Sequence, residues 1–168
     1  VNEVLLVVDM QKQLIAENPY HLPQMLEGIQ SLIAHFRETN HPIIFVRHND
    51  LGMPLGSLDW EIDSSIAPMD GERLVDKSYN SAFKDTNLKT YLDELEITTV
   101  IVVGMQIEYC IDATIKSAFD LGYHVIVPKG LVSTFDNNLM SADTLIKHYE
   151  GIWAGRFAQL QHINEMIK

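Results

Sequence analysis

The sequence predicts an α/β protein, a three-layer αβα sandwich around a mainly parallel, Rossmann-like sheet. Three observations carry that prediction. Short apolar runs rich in β-branched residues alternate along the chain with longer stretches of helical periodicity. The runs are continuous and not alternating, the pattern of strands covered on both faces. Strand–helix–strand alternation of this kind implies right-handed crossovers and parallel pairing. The 168 residues are read as one domain, 1–168, a length that buries about 70% of the surface its unfolded chain exposes.

The elements follow in order. Val4 to Val8 is the first strand, ended by Asp9. Leu22, Met25, Leu26, Ile29, Leu32, Ile33 and Phe36 mark one face of a helix, which Asn40-His41-Pro42 breaks. Ile43 to Val46 is a second buried strand. Residues 48 to 76 hold Gly52, Pro54, Gly56, Pro68 and Gly71 with little periodicity, and are read as a long excursion over one end of the sheet. A loop of that length inside a compact domain is usually functional or disordered, and Trp60 and Ile62 argue that it packs. Asn87 to Leu95 is a short amphipathic helix. Val100 to Val103 is a third strand, closed by Gly104. Cys110 to Leu121 reads as a helix with Gly122 at C′. Val125 to Val127 is a fourth strand. Ser141 caps a helix that runs to Ile152, with Thr144 at N3 and so no capping box. Phe157 to Gln161 is read as a last strand before a short terminal helix.

Composition narrows the function classes. A net charge of −11 argues against a nucleic-acid surface, which needs a basic patch, and against a polybasic membrane anchor. No stretch approaches the ~20 apolar residues of a membrane span. The first residues lack the basic flank and cleavage site of a signal peptide. One cysteine allows no internal disulfide. The expectation is a cytoplasmic protein with a small-molecule substrate and neither nucleic acid nor membrane as partner.

In parallel α/β folds, ligands bind beyond the carboxyl ends of the strands. Asp9, His48 and the Gly104–Cys110 segment lie there. Asp9 follows five apolar residues, so it should be partly buried, and a buried carboxylate needs a partner. A capping acid at a strand end fits the position equally well. Cys110 sits near a helix start, where anions are favoured and thiol pKa falls. A lone cysteine is nevertheless more often a small core residue. Lys77, taken alone, reads as a surface lysine. No phosphate loop, dinucleotide fingerprint or Gly-x-Ser-x-Gly elbow occurs. Seven histidines are present, but none lies between His48 and His124, and no His-x-His or His-Glu-x-x-His spacing appears. His35 and His41 read as a solvated pair at a helix end.

Together the segments resemble the isochorismatase-like superfamily, which includes nicotinamidases and other cysteine amidohydrolases. The pieces that carry the resemblance are Val7-Val8-Asp9-Met10-Gln11, Phe45-Val46-Arg47-His48, Asp76-Lys77 with Ser81-Ala82-Phe83, and Val103 to Cys110. Asp112, Thr114, Ala118 and Gly122-Tyr123 extend the last piece, and Ser133-Thr134-Phe135-Asp136 adds to it. The resemblance implies a catalytic triad of Asp9, Lys77 and Cys110. It also implies a cis peptide at Met105–Gln106, with the Gln106 and Cys110 N–H groups forming an oxyanion hole. The implied reaction is covalent hydrolysis of an amide-like C–N bond through a thioester; the alternatives are a nicotinamidase with an atypical metal site and a non-catalytic binding or regulatory protein on the same fold.

Two departures narrow the substrate that the resemblance implies. Nicotinamidases carry an Asp-x-His pair and a further histidine as metal ligands, whereas this chain has Arg47-His48-Asn49-Asp50 without a second histidine in reach. No metal and no other cofactor is therefore expected. True isochorismatases cleave a vinyl ether without a nucleophilic cysteine, so Cys110 argues against that reaction. The pocket is expected to be lined by Gln11, His48, Trp60, Tyr79, Phe83, Gln106 and Tyr109, aromatics over a small flat substrate. Glu108 reads as favourable charge in a first helical turn. The family's habit of forming dimers or tetramers implies a homo-oligomer, with Trp153 to Phe157 as a candidate contact.

Overall fold

A computed structural model describes residues 2–167. Val1 and Lys168, the two ends of the expected domain, lie outside the described residues. The elements run β1 (Glu3–Val8), α1 (Lys12–Ala16), α2 (Leu22–Glu38), β2 (Ile43–His48), β3 (Arg73–Lys77), α3 (Leu88–Glu94), β4 (Thr99–Met105), α4 (Asp112–Asp120), β5 (His124–Pro128), β6 (Val132–Ser133), α5 (Ala142–Trp153), β7 (Gln159–Gln161) and α6 (Ile163–Met166). A short 3₁₀ turn covers Ser64–Ile66.

Among the described residues the strands form one sheet of order β3-β2-β1-β4-β5-β7, with β6 added to the end of β4. Every pairing between its strands is parallel. Alternate residues of β1 feed two cores. Val4, Leu6 and Val8 pack with Leu88, Leu92, Ile115, Ala118 and Trp153 from α3, α4 and α5. Leu5 and Val7 pack with Met25, Ile29, Leu32, Ile33 and Phe36 from α2. Burial on both faces explains the unbroken apolar runs and gives the expected three layers.

Sheet order reverses between β1 and β4, which is the switch point where such folds bind ligands. There the register sets Val8 opposite both Val46 and Gly104. Farther out it sets His48 opposite Lys77. Gly104 is needed for this approach: its φ is +120°, and a Cβ would stand 2.0 Å from the Val8 carbonyl oxygen.

Several features differ from expectation. Residues 48 to 76 are not all loop, because Arg73–Lys77 forms the edge strand β3. Its run is short, charge-rich and buried on only one side, so periodicity concealed it. Gly104 does not close β4, which continues to Met105. The helix holding Cys110 begins earlier, with a π-helical turn over Ile107–Ile111 in which the Ile111 N–H reaches the Gln106 carbonyl at 3.1 Å. Trp153 is not free to meet a partner: it is fully buried, and its indole N–H donates to Asp112 at 2.9 Å. Gly122 and Ser141 take their expected places at helix ends. The Gly122 and Tyr123 N–H groups close α4 onto the Phe119 and Ala118 carbonyls, and Ser141 accepts from the Thr144 N–H.

Candidate active site

Three strand ends converge at the switch point. Asp9 follows β1, Lys77 ends β3, and Cys110 lies in the turn after β4. Asp9 is 2% exposed, Lys77 1% and Cys110 7%. Lys77 is thus no surface lysine. Its Nζ stands 3.1 Å from Asp9 Oδ2 and 3.1 Å from Cys110 Sγ. It also stands 3.1 Å from His48 Nδ1 and donates to the Tyr79 carbonyl at 3.1 Å. An ammonium has three hydrogens, so these four acceptors leave it none for any other group.

Asp9 has φ +54°, a left-handed conformation uncommon outside glycine and most tolerated by Asn and Asp. Its Oδ1 is buried and has no hydrogen-bond partner among the described residues. An acceptor held in that state is costly unless a ligand or a moving proton uses it. The Met105–Gln106 peptide is cis.

Burial pushes the Asp9 carboxyl above its ordinary range, opposed by the Lys77 charge. Burial also pushes the Cys110 thiol up, to about 12, and the Asp9 charge adds to the rise while Lys77 opposes it. Both shifts have one cause: a dry site with a single ammonium resists a second negative charge. Asp9 and Cys110 therefore compete for one proton.

A cavity of ≈ 150 Å³ opens onto this cluster, lined by Asp9, Leu14, His48, Asp50, Met53, Asn80, Gln106, Tyr109 and Cys110. Of the residues expected around it, His48, Gln106 and Tyr109 line it. Gln11 does not. Its side chain is fully buried, donating to the His48 and Trp60 carbonyls at 2.8 Å and accepting from the His48 N–H at 2.9 Å. It clamps the long loop to the end of β2. Trp60 packs under the Arg47 guanidinium, 3.8 Å from ring centroid to Cζ. Tyr79 contributes its carbonyl to Lys77 while Lys84 covers its ring. Phe83 packs beside the helical core and stacks on Tyr123.

Sequence reasoning missed Leu14, Asp50, Met53 and Asn80. Three of them stand on irregular segments without periodicity, and Leu14 lies in α1, a one-turn helix too short to read. Asn80 Oδ1 lies 3.8 Å from Cys110 Sγ. Glu108, beside the nucleophile candidate, accepts from the Thr134 hydroxyl and so ties the turn to the segment after β6.

Asp9, His48 and Cys110 form a cluster whose ligand atoms lie within 4.8 Å of one another, close enough to hold a metal ion. The donors do not fit one. Lys77 Nζ touches all three residues at 3.1 Å, so the cation among them is already the lysine ammonium.

Comparison with known proteins gives a consistent set. The isochorismatase domain family matches residues 3–158. The chain is similar to streptothricin hydrolase of Streptomyces noursei, at 30% identity over 142 residues that cover 80% of this chain but only 50% of that protein. It is also similar to nicotinamidase 3 of Arabidopsis thaliana, at 30% identity over 156 residues, 82% of this chain and 76% of that protein. A crystal structure of an isochorismatase family protein matches with TM-score 0.92 and 35% identity, covering 95% of this chain and 98% of that one. Among the described residues no helix is long and apolar enough to cross a membrane.

Proposed function

The chain belongs to the isochorismatase family, and from that premise we propose that it is a cysteine hydrolase cleaving the C–N bond of a small amide through a thioester on Cys110. The observation that supports this best is the Lys77 ammonium, 3.1 Å from both Asp9 Oδ2 and Cys110 Sγ, beside an Asp9 Oδ1 with no partner among the described residues. A structural ion pair needs only one of those contacts.

In the mechanism, the Cys110 proton passes to Asp9 and the sulfur attacks the amide carbonyl. A thiol that loses its proton to bulk water leaves the buried site with an added charge, which the rise to about 12 disfavours. Transfer to Asp9 moves the charge without adding any, so the thiolate forms within a site of constant net charge. Backbone N–H groups of Gln106 and Cys110 stabilise the oxyanion, each such donor being worth about 3 to 4 kcal/mol in other enzymes. The C–N bond breaks as the protonated Asp9 returns its proton to the leaving nitrogen. Water then attacks the thioester with Asp9 as base, the acid product leaves, and the thiol is restored. Lys77 compensates the one negative charge throughout.

A panel of small amides, nicotinamide included, assayed for ammonia release against Cys110→Ala as blank tests the proposal. A substrate turned over by the wild type alone supports it. Undiminished turnover in a folded Cys110→Ala protein sinks it.

A further inference from the structure

We propose that the cavity selects amides bearing a cationic or N–H-donating group, that it rejects carboxylates, and that Asp50 is the residue that decides this. The inference rests on the amide-hydrolase reading and names its substrate class.

The lining carries acids but no free cation. Asp9, Asp50 and Cys110 line the cavity, and neither lysine nor arginine does. Lys77 lies just beneath, but its three hydrogens are shared among Asp9, Cys110, His48 and the Tyr79 carbonyl. Arg47, at the end of β2, is paired with Asp76. An anionic substrate would enter with no charge to receive it.

His48 stands between Lys77 and Asp50. Its Nδ1 faces the Lys77 ammonium at 3.1 Å, and an ammonium only donates, so Nδ1 accepts and the ring hydrogen sits on Nε2. That Nε2 lies 3.5 Å from Asp50 Oδ2. The imidazole thus links the Lys77 ammonium to the Asp50 carboxylate at the cavity wall.

Asp50 is also held in place. Its Oδ1 accepts from the Gly52 and Met53 N–H groups at 2.8 and 2.9 Å. Oδ2 has no such backbone partner and lies toward His48, one imidazole away from the thiol cluster. Asp50 and Cys110 line the same cavity, so one small ligand can meet both. Asp9, which also lines the cavity, carries a second acceptor in its unpartnered Oδ1. Both carboxylates line one small cavity.

The test measures protection of Cys110 from iodoacetamide, read by intact mass, and needs no turnover. The chain has a single cysteine, so the reading is unambiguous. Three primary amides of similar size serve as probes: β-alaninamide (cationic), butanamide (neutral) and succinamate (anionic). In the wild type, β-alaninamide is expected to protect at about fivefold lower concentration than butanamide, the scale of a half-exposed charge pair, and succinamate to protect least. In Asp50→Asn, which keeps the Oδ1 acceptor, the advantage should vanish while butanamide protection stays unchanged. Salt should erode the advantage in the wild type, an arm that stands even if the variant fails to fold. Equal protection by all three probes, or an advantage that survives in Asp50→Asn, overturns the charge selection and leaves the hydrolase reading standing. Absence of protection by all three overturns both.

Discussion

Lys77→Met removes the ammonium and leaves a side chain of similar volume in a fully buried position. Lys77 Nζ stands 3.1 Å from Asp9 Oδ2 and from Cys110 Sγ alike. Equal distances mean that it does not bias the proton between the two acids; it sets how readily the pair holds one negative charge. At an effective dielectric constant of about 20, a contact of that length is worth about 5 kcal/mol. Losing it raises the proton affinity of the pair by about 4 pH units. At neutral pH the variant should then hold a proton on both Asp9 and Cys110. Alkylation of Cys110 by iodoacetamide, followed by intact mass, should slow by about fivefold or more. Stability should respond with a definite sign. A carboxyl whose folded-state pKa is raised keeps a proton that the unfolded chain releases, so the variant loses stability as pH climbs above the ordinary carboxylate range. A folded Lys77→Met protein alkylated at the wild-type rate or faster would refute the reasoning.

Asp9→Asn should separate two effects. The Asp9 charge is the second cause, after burial, of the Cys110 rise to about 12, so the variant thiol should titrate lower, as thiolate absorbance would show. Amide turnover in the same variant should fall by about a hundredfold to ten-thousandfold, the usual worth of a positioned acid–base group; turnover unchanged with a lowered thiol pKa would mean that Asp9 is not the base. Gly104→Ala should be among the most damaging single changes to the fold. Its φ of +120° is closed to alanine, and the added Cβ meets the Val8 oxygen at 2.0 Å. We expect a loss of about 3 kcal/mol or more, a fall in Tm of about 6 to 12 °C for a chain of this size, and a thermal unfolding curve within about 2 °C of wild type would contradict it.

The layers were readable because burial on both faces leaves unbroken apolar runs, and Val4–Val8 and Val100–Val103 show them. Arg73–Lys77 was not readable, because an edge strand buries one side only and carries Arg73, Asp76 and Lys77 in five residues. The same concealment made Lys77 look like a surface residue. Position after a strand drew attention to Asp9 and His48, and the motifs drew it to Cys110. The cavity wall was harder. Gln11 and Phe83 were expected there by residue type, yet a fully buried amide serves backbone groups as readily as a ligand, and a phenyl ring serves a core. Asp50 and Asn80 sit on irregular segments whose direction depends on tertiary contacts such as the Gln11 clamp.

The sheet order explains why a lysine, and not a nearer acid or amide, meets both Asp9 and Cys110. The strands run β3-β2-β1-β4, so Lys77 leaves an edge strand that is separated from β1 by all of β2. Two strand spacings amount to about 10 Å. A side chain starting there must be long, unbranched and charged at its tip to reach the switch point. On the way it must pass the end of β2, where the register places His48 opposite Lys77. The His48 contact is therefore a consequence of the path, and it fixes the imidazole as an acceptor toward the lysine. His48 and Asp50 both line the cavity, with His48 Nε2 3.5 Å from Asp50 Oδ2. The same crossing that brings a cation to the thiol thus leaves the cavity wall acidic, linking how the nucleophile is charged to which ligands can approach it.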